Sequence, residues 1–436
     1  MEPSTVGLIG VGIMILLLAL EVPLAFAMGF VGFAGFVYFM SVGKAVSMAI
    51  ITAYTNTTSY TLVTIPLFVL MGEVAFFAGV GKDLYAALYA WLWRLKGGLA
   101  MATVAACAAF GAICGSSPVT AATIGSIALP EMFRYKYNPR FATGCIAASG
   151  TLGILIPPSI PMIIYGIMTE QSIGKLFIAG ILPGIMTAAI FMAMIYIRVK
   201  INPSLAPQGY SMPWKERMHL TGKAWPVVSV FLLVIGGIYS GFFTPTEAAA
   251  IGAIGVIVTA VAQRRLTWEI FIKSLKETTC LSAMIMAIII GGMFYTAFTV
   301  VAGLPDLAQN VLGQMGENRY VILCFILFVY LVLGCLMDII GMMVFTLPMF
   351  FPVIVKLGFD PIWFGVMVTI MCELGLLTPP VGVNCMVIKS VAGEKVTTGD
   401  VFVGVGWYFL MELIVIAILI IFPGVALILP NLMFAR

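Results

Sequence analysis

The sequence predicts an all-α, polytopic membrane protein that is built from two inverted repeats. Of its 436 residues, 62% are hydrophobic and only 9% are charged, whereas a soluble globular chain carries about 25% charged residues. Its apolar runs reach the length of about 20 residues that a helix needs to cross a bilayer. Two similar strings, GILIPPSIPM at 153–162 and GLLTPPVGVN at 375–384, place a Pro-Pro pair in each half of the chain.

Ten apolar segments are the predicted membrane passes. A helix satisfies all its own backbone hydrogen bonds, which is what the bilayer interior demands of a spanning segment. The N-terminal string MEPSTVGLIG has no Lys or Arg before the first run, so it does not have the pattern of a cleavable signal peptide. The predicted passes are 5–23, 24–41, 58–79, 141–168, 175–198, 224–242, 245–263, 278–301, 361–390 and 401–428.

Recurring landmarks indicate an internal duplication. Pro157 and Pro379 lie 222 positions apart, and the pairs Pro23 and Pro245, and Pro139 and Pro361, keep the same spacing. The polar linker 202–222 separates the halves, so the predicted repeats are 1–222 and 223–436. Each half holds five passes, and an odd number inverts the second repeat relative to the first, a feature of secondary transporters.

Each half also contains an apolar region that is too short for two full passes. The region 97–132 predicts a re-entrant hairpin with its tip at Gly-Ser-Ser-Pro 115–118, because small polar residues favour a tight turn. The region 318–353 predicts the matching hairpin of the second half. Each hairpin is followed by a helix that its Pro-Pro pair breaks, at 141–168 and at 361–390.

Charge and amphipathic patterning predict the orientation. Most of the 22 Lys and Arg residues fall on one side if the N-terminus lies outside, as the positive-inside rule requires. The net charge of +4 therefore reports membrane orientation and gives no indication of nucleic-acid binding. Segments with aromatic and basic residues predict helices at the membrane interface. These segments are 82–98, 266–277 and 303–314.

The cysteine, histidine and aspartate residues of the sequence do not form the pattern of an enzyme active site. The eight cysteines lie in apolar segments without a C-x-x-C pair, which is typical of buried free thiols. The single histidine, His219, falls in the polar linker, so there is no His-based metal cluster or Ser–His pair within the membrane. Asp338 has no evident partner for an aspartate dyad. A passive channel is a further alternative, but paired hairpins and breaks fit alternating access better.

The two breaks predict two cation sites. A helix broken at Pro-Pro leaves carbonyl groups on one side and N–H groups on the other, and these need partners inside a membrane. Carbonyl and hydroxyl oxygens suit a hard cation such as sodium. Site 1 is predicted to comprise Ser116, Ser117, Gly153, Ile156 and Pro158, and site 2 to comprise Gly334, Asp338, Gly375, Thr378 and Pro380.

The region between the hairpin tips predicts a substrate site. Helix N-termini favour negative charge and suit a carboxylate. Ser116, Thr120 and Asn384 are the predicted contacts, since they are short polar residues close to the breaks. Among the acidic residues in or near apolar runs, Glu373 lies two positions before Gly375, which leaves proton coupling through it open.

The strings GSSPVTAATIG, GTLGILIPPSIPMIIYG, FTPTEAAAIGA and ELGLLTPPVGVN together resemble the large membrane subunit of tripartite ATP-independent periplasmic (TRAP) transporters, the DctM type. The resemblance spans essentially the whole chain and implies membership of the ion-transporter superfamily. It implies an elevator-type, sodium-driven importer of small carboxylates in the bacterial inner membrane, with the N-terminus in the periplasm. It also agrees with the two cation sites, with sodium as the coupling ion and no other cofactor.

The resemblance also implies two protein partners, a small membrane subunit of the DctQ type and a periplasmic substrate-binding protein of the DctP type. Sialic-acid members carry an Asp after the tip serines, where this chain has Thr120. That departure favours a C4-dicarboxylate-like organic acid over sialate. The alternative that the residues leave open is a stand-alone sodium/carboxylate symporter, or an antiporter, of the same superfamily.

Overall fold

The computed structural model describes residues 2–207, 212–314 and 318–434, and most of these residues are helical, with no strand among them. Residues 208–211 of the predicted linker lie outside the described residues. The helices that begin in the first half are α1 Pro3–Ala19, α2 Leu24–Phe39, α3 Val42–Thr57, α4 Thr64–Phe77, α5 Val80–Leu92, α6 Gly98–Cys114, α7 Ser117–Arg134, α8 Pro139–Ser149, α9 Leu152–Leu155, α10 Ile160–Met168 and α11 Ile173–Ile201.

The second half follows the same sequence of long helices, short arms and breaks. The 26-residue helix α12 runs through residue 222, where the sequence predicted the boundary between repeats, and it includes His219. The remaining helices are α12 Trp214–Tyr239, α13 Pro245–Ala262, α14 Trp268–Val301, α15 Leu304–Gly313, α16 Arg319–Gly334, α17 Ile339–Lys356, α18 Pro361–Leu377, α19 Val383–Ala392, α20 Thr398–Ile421 and α21 Gly424–Phe434.

Within the described ranges, seven helical segments are long and apolar enough to cross a membrane, or eight if the bent pair 139–155 and 160–168 counts as one span. Six of the ten predicted passes coincide with these segments, and 141–168 coincides with the bent pair. The passes at 5–23, 24–41 and 361–390 correspond to the shorter apolar helices α1, α2 and α18. The seventh segment is α17, which lies within the predicted second hairpin.

Three local predictions differ from the structure. The segment 266–277 was predicted as a separate interfacial helix, but from Trp268 onward it is the start of the continuous 34-residue helix α14. Residues 42–57 form α3, which the sequence analysis did not assign because Lys44 and several threonines interrupt its apolar pattern. Cys280 and Cys324 are exposed at the protein surface, whereas the sequence predicted buried thiols.

Proline and capping residues start corresponding helices in the two halves. Asn138 and Asp360 cap α8 and α18 with their side chains, and each is followed by a proline in the first turn. Proline fits this position because the first-turn N–H has no helical partner and the fixed backbone angle suits a helix. The landmarks Asn138-Pro139 and Asp360-Pro361 are therefore two similar helix starts.

Small residues allow the helices to approach closely where the breaks are positioned. Helices α8 and α20 meet at Gly144 and Gly404, where an added side chain would overlap the partner backbone. Helix α6 is rich in Gly and Ala and is buried along most of its length against α7, α8 and α9. Because apolar lipid gives helices little reason to associate, close backbone packing of this kind holds membrane helices together.

Candidate functional site

The first break separates α9 from α10. Helix α9 ends at Leu155, Ile156 is extended, and the bond between Pro157 and Pro158 is cis. The hydroxyl of Ser159 then accepts a hydrogen bond from the N–H of Met162, 3.4 Å away, and starts α10. The helical axis bends by 43° across the break. All residues from 151 to 160 are buried, so the carbonyls released here point into protein.

The second break separates α18 from α19 and repeats this plan. Thr378 is extended after the end of α18, the bond between Pro379 and Pro380 is cis, and Gly382 takes a left-handed conformation before α19. Glycine is suited to that conformation because it has no Cβ. Here residues 379–381 are exposed, in contrast to the buried first break. The two breaks are thus alike in sequence and backbone but differ in their surroundings.

Each hairpin packs directly on the break of its own half through a pair of glycines. Gly111 of α6 lies against Gly153, and a Cβ on Gly111 would overlap the Gly153 backbone. Gly334, at the end of α16, lies against Gly375 of α18 in the same way. These contacts bring the tip between α6 and α7, and the turn between α16 and α17, to the two breaks.

Three of the five residues predicted for site 1, namely Ser116, Gly153 and Pro158, lie at the first hairpin tip. A Cβ added to Gly153 would lie 3.0 Å from the carbonyl oxygen of Ser116, and the hydroxyl of Thr120 is also close to Gly153. The Thr120 hydroxyl is buried and has no hydrogen-bond partner in the described part of the chain. The Pro158 carbonyl faces Gly115 at the hairpin tip. Thr120, predicted as a substrate contact, therefore adds an oxygen next to site 1.

The remaining two residues predicted for site 1 have other neighbours. Ile156 is buried, and its side chain packs toward Gly184 of α11. The Ser117 hydroxyl is also buried and accepts a hydrogen bond from Asn384. The Ser116 carbonyl and the Thr120 hydroxyl therefore lie together beside Gly153, and the Pro158 carbonyl lies beside Gly115.

The residues predicted for site 2 are held less closely. Gly334 and Gly375 touch, and Thr378 follows within one turn, with its hydroxyl donating to the Leu374 carbonyl at 2.7 Å. The carboxylate of Asp338 accepts a hydrogen bond from the N–H of Gly341 at 3.1 Å and so caps α17. Pro380 is exposed. The structure thus gives Asp338 a helix-capping role at the second tip.

Asn384 connects the two halves. Its Nδ2 donates to the hydroxyl of Ser117 at 2.6 Å and to the carbonyl of Ala147 at 3.4 Å, although Ser117 is 267 positions away in the sequence. The side chain is fully buried, and its Oδ1 accepts no hydrogen bond from any described residue. Asn384, which the sequence predicts as a substrate contact, is therefore buried and hydrogen-bonded to Ser117 at the first hairpin tip.

A cavity of about 280 Å³ lies where both tips and both breaks meet. Its lining includes the first residue of four helices, Ser117 of α7, Ile160 of α10, Ile339 of α17 and Val383 of α19. Ser159 and Asp338 cap the starts of α10 and α17, whereas α7 and α19 have no side-chain cap. Uncapped N–H groups and the positive end of a helix dipole favour an anion. Of the three predicted substrate contacts, Ser116 lines this cavity, while Thr120 and Asn384 are buried next to it.

Helices α4 and α14 also line the cavity. Glu73 of α4 contributes to the lining together with Leu281 and Ile285 of α14. Helix α4 packs against the first hairpin here, since a Cβ on Gly72 would lie 3.0 Å from the Cys114 backbone. A carboxylate within the apolar run 64–77 is a signal in the sequence, but its position beside the first tip depends on tertiary packing.

Two further buried carboxyl groups lie outside the cavity. Glu373 of α18 and Glu412 of α20 are fully buried, and their carboxyl oxygens have no hydrogen-bond partner among residues 2–207, 212–314 and 318–434. The two side chains are near enough to interact electrostatically. Glu373 is therefore a buried neighbour of the second break and does not line the cavity.

Paired broken helices around a buried cavity define a multi-pass membrane protein of the secondary-transporter type. The family described as "Tripartite ATP-independent periplasmic transporter, DctM component" matches residues 11–425. The chain belongs to this family, which confirms the resemblance seen in the sequence. Members of this family are transport permeases, which agrees with the prediction that the chain is not an enzyme.

Curated relatives and a solved structure resemble the chain over most of its length. The C4-dicarboxylate TRAP transporter large permease protein DctM of Pseudomonas aeruginosa is 37% identical over 374 residues, covering 85% of this chain and 86% of the relative. The ectoine TRAP transporter large permease protein TeaC of Halomonas elongata is 32% identical over 433 residues, covering 97% and 98%. The Alcanivorax borkumensis YdaH transporter shares the fold at a TM-score of 0.62 and 15% identity, covering 97% and 98%.

Proposed function

We propose that this chain is the large transmembrane subunit of a sodium-driven TRAP transporter that imports a small carboxylate, with a C4-dicarboxylate-like organic acid as the first candidate. The observation that carries this proposal is that the first residues of four helices line one cavity between the hairpin tips, and that two of these helices, α7 and α19, have no side-chain cap. No Lys, Arg or His is among the residues that line the cavity, so the helix ends supply its attraction for an anion. The Pseudomonas relative, named for C4-dicarboxylates, supports the choice of first candidate.

Sodium coupling is supported by the oxygens at the two breaks. At the first break, the Ser116 carbonyl and the Thr120 hydroxyl lie beside Gly153, and the Pro158 carbonyl lies beside Gly115. At the second break, Gly375 and Thr378 lie beside Gly334 at the end of α16. Oxygens of this kind suit a hard monovalent cation. A bound cation at each break would also offset the charge of an anionic substrate in the cavity.

An inverted repeat with elevator-type movement fits the paired features of the two halves. The matched helix starts at Pro139 and Pro361, the paired glycine contacts and the two cis Pro-Pro bonds support the repeat. In this proposal the hairpins and broken helices move together against a fixed scaffold that includes α4 and α14. The cavity lies between these two groups of helices, where such movement would expose it to alternate sides of the membrane.

Family membership supports the remaining parts of the proposal. We infer a small DctQ-type membrane subunit and a periplasmic DctP-type binding protein as partners, and the bacterial inner membrane as the location. The positive-inside pattern supports a periplasmic N-terminus. With that orientation, a binding protein in the periplasm would deliver substrate to the cavity when it opens outward.

The test is uptake into proteoliposomes that contain this chain and its small subunit, with the binding protein outside. A panel of labelled carboxylates, beginning with succinate, is offered with an inward sodium gradient, a potassium gradient or no gradient. The proposal expects uptake only with sodium and the binding protein. Uptake without the binding protein would favour the stand-alone symporter, and uptake that is indifferent to sodium would contradict the cation sites.

A further inference from the structure

The cavity lining combines helix starts with a carboxylate. The starts of α7 and α19, which have no side-chain cap, line the cavity and favour negative charge. The lining also contains Glu73, which lies beside the first hairpin tip and is only 6% exposed. Among the described residues, Glu73 belongs to none of the three ion pairs. A molecule in this cavity therefore meets helix starts that favour an anion and a carboxylate that favours a cation.

The other carboxylate in the cavity lining, that of Asp338, already has a hydrogen-bond partner. Asp338 accepts a hydrogen bond from the start of α17, which leaves Glu73 as the lining carboxylate without a partner. A buried carboxylate without a counter-charge is unfavourable, and a positive group beside Glu73 would stabilise its charged form.

The surroundings of Glu73 suit an organic cation better than a metal ion. Its neighbours in the lining include Val69, Leu281, Met284 and Ile285, which offer carbon and sulfur instead of oxygen. A hard cation such as sodium needs several oxygen ligands. An ammonium or amidinium group, by contrast, can donate to one carboxylate while its carbon atoms pack against apolar side chains.

We propose that Glu73 binds a cationic group of the transported molecule, so that the substrate is a zwitterion with its carboxylate at the helix starts and its positive nitrogen at Glu73. This inference rests on the proposed function and narrows its substrate class. The ectoine permease of Halomonas elongata shows that the family's large subunits include members named for a substrate outside the dicarboxylates.

The experiment compares succinate with 4-aminobutyrate, which has four carbons like succinate but an aminomethyl group in place of one carboxylate, and includes ectoine as a cyclic zwitterion. Uptake is measured in the complete system with binding protein and sodium gradient, for the wild-type chain, Glu73→Gln and Glu73→Asp. Glu269→Gln, an exposed carboxylate in the first turn of α14, is the matched control. The ligand that co-purifies with the binding protein is also identified by mass spectrometry.

The proposal expects a zwitterionic ligand on the binding protein and uptake of a zwitterion, with KM raised at least tenfold by Glu73→Gln and largely restored by Glu73→Asp. Thermal unfolding of each variant shows whether the protein still folds.

A dianionic natural ligand, or succinate uptake that Glu73→Gln leaves unchanged, would overturn the inference and leave the proposed function standing. A higher half-saturating sodium concentration with unchanged substrate KM would assign Glu73 to sodium and also overturn it. Uptake independent of sodium and of the binding protein would contradict the proposed function itself.

Discussion

Asn384 donates a hydrogen bond of 2.6 Å to the hydroxyl of Ser117, and this contact joins the helix after the second break to the tip of the first hairpin. The two residues belong to different halves of the chain, and both are fully buried. Hydrogen bonds between buried side chains hold membrane helices in register. The contact therefore fixes the relative position of two of the four helix starts that line the cavity.

Replacing Asn384 tests this connection. In Asn384→Ala the hydroxyl of Ser117 and the carbonyl of Ala147 lose their donor, and an unsatisfied buried polar group costs about 1–3 kcal/mol. We expect uptake to fall at least tenfold and the melting temperature to drop. Asn310→Ala, at an exposed position of α15, is the control and should behave as wild type. Normal uptake by Asn384→Ala would show that the halves do not need this contact.

The glycine pairs between hairpins and breaks give a second prediction. In Gly375→Ala the new methyl group meets the backbone of Gly334, and in Gly153→Ala it meets the Thr120 hydroxyl and the Ser116 carbonyl. Overpacking of this kind costs about 1–3 kcal/mol. We expect both variants to lose stability in thermal unfolding and to transport poorly.

The matched control for these variants is Gly406→Ala. Gly406 lies in α20 with open space around its Cα, so a methyl group there meets nothing within 4 Å. Alanine also has a higher helix propensity than glycine. This variant should be as stable as wild type or slightly more stable. If Gly153→Ala behaved like Gly406→Ala, the close approach of hairpin and break would not be required.

The unpartnered hydroxyl of Thr120 predicts a specific effect on sodium. Thr120→Val keeps the shape of the side chain but removes the oxygen next to Gly153 and the Ser116 carbonyl. If this oxygen binds sodium, its loss should raise the half-saturating sodium concentration about tenfold, equivalent to about 1.4 kcal/mol. Thr120→Ser should keep wild-type behaviour.

Thr187→Val is the control for this measurement. The Thr187 hydroxyl is also buried, but it donates to the Pro183 carbonyl within its own helix. Its removal should leave sodium dependence unchanged. An unaltered sodium dependence in Thr120→Val would remove Thr120 from the cation site. A change in substrate KM alone would return it to the substrate site predicted from the sequence.

Local chemistry explains which features the sequence could predict. The breaks at Pro157 and Pro379 follow from the missing proline donor, and the first hairpin tip follows from Gly115 and the serines after it. The sequence did not predict that 268–277 belongs to α14. Polar residues at a membrane boundary are compatible both with a separate interfacial helix and with an extension of the membrane helix. The position of Glu73 beside the first tip depends on contacts between segments of different helices, which the sequence pattern does not give.

Glu373 gives the last prediction, because the sequence left proton coupling through it open. The carboxyl group is fully buried without a counter-charge or a hydrogen-bond partner in the ranges that the structure describes, and an ionised carboxylate is strongly disfavoured in such a place. A neutral carboxyl and an amide have nearly the same shape, so Glu373→Gln should retain sodium-driven uptake within about twofold, whereas Glu373→Lys should unfold or fail to assemble. The pH profile of uptake is measured for both wild type and Glu373→Gln. If the amide variant lost uptake, or if the dependence of wild-type uptake on pH disappeared in it, Glu373 would carry a proton during transport and the coupling would not be by sodium alone.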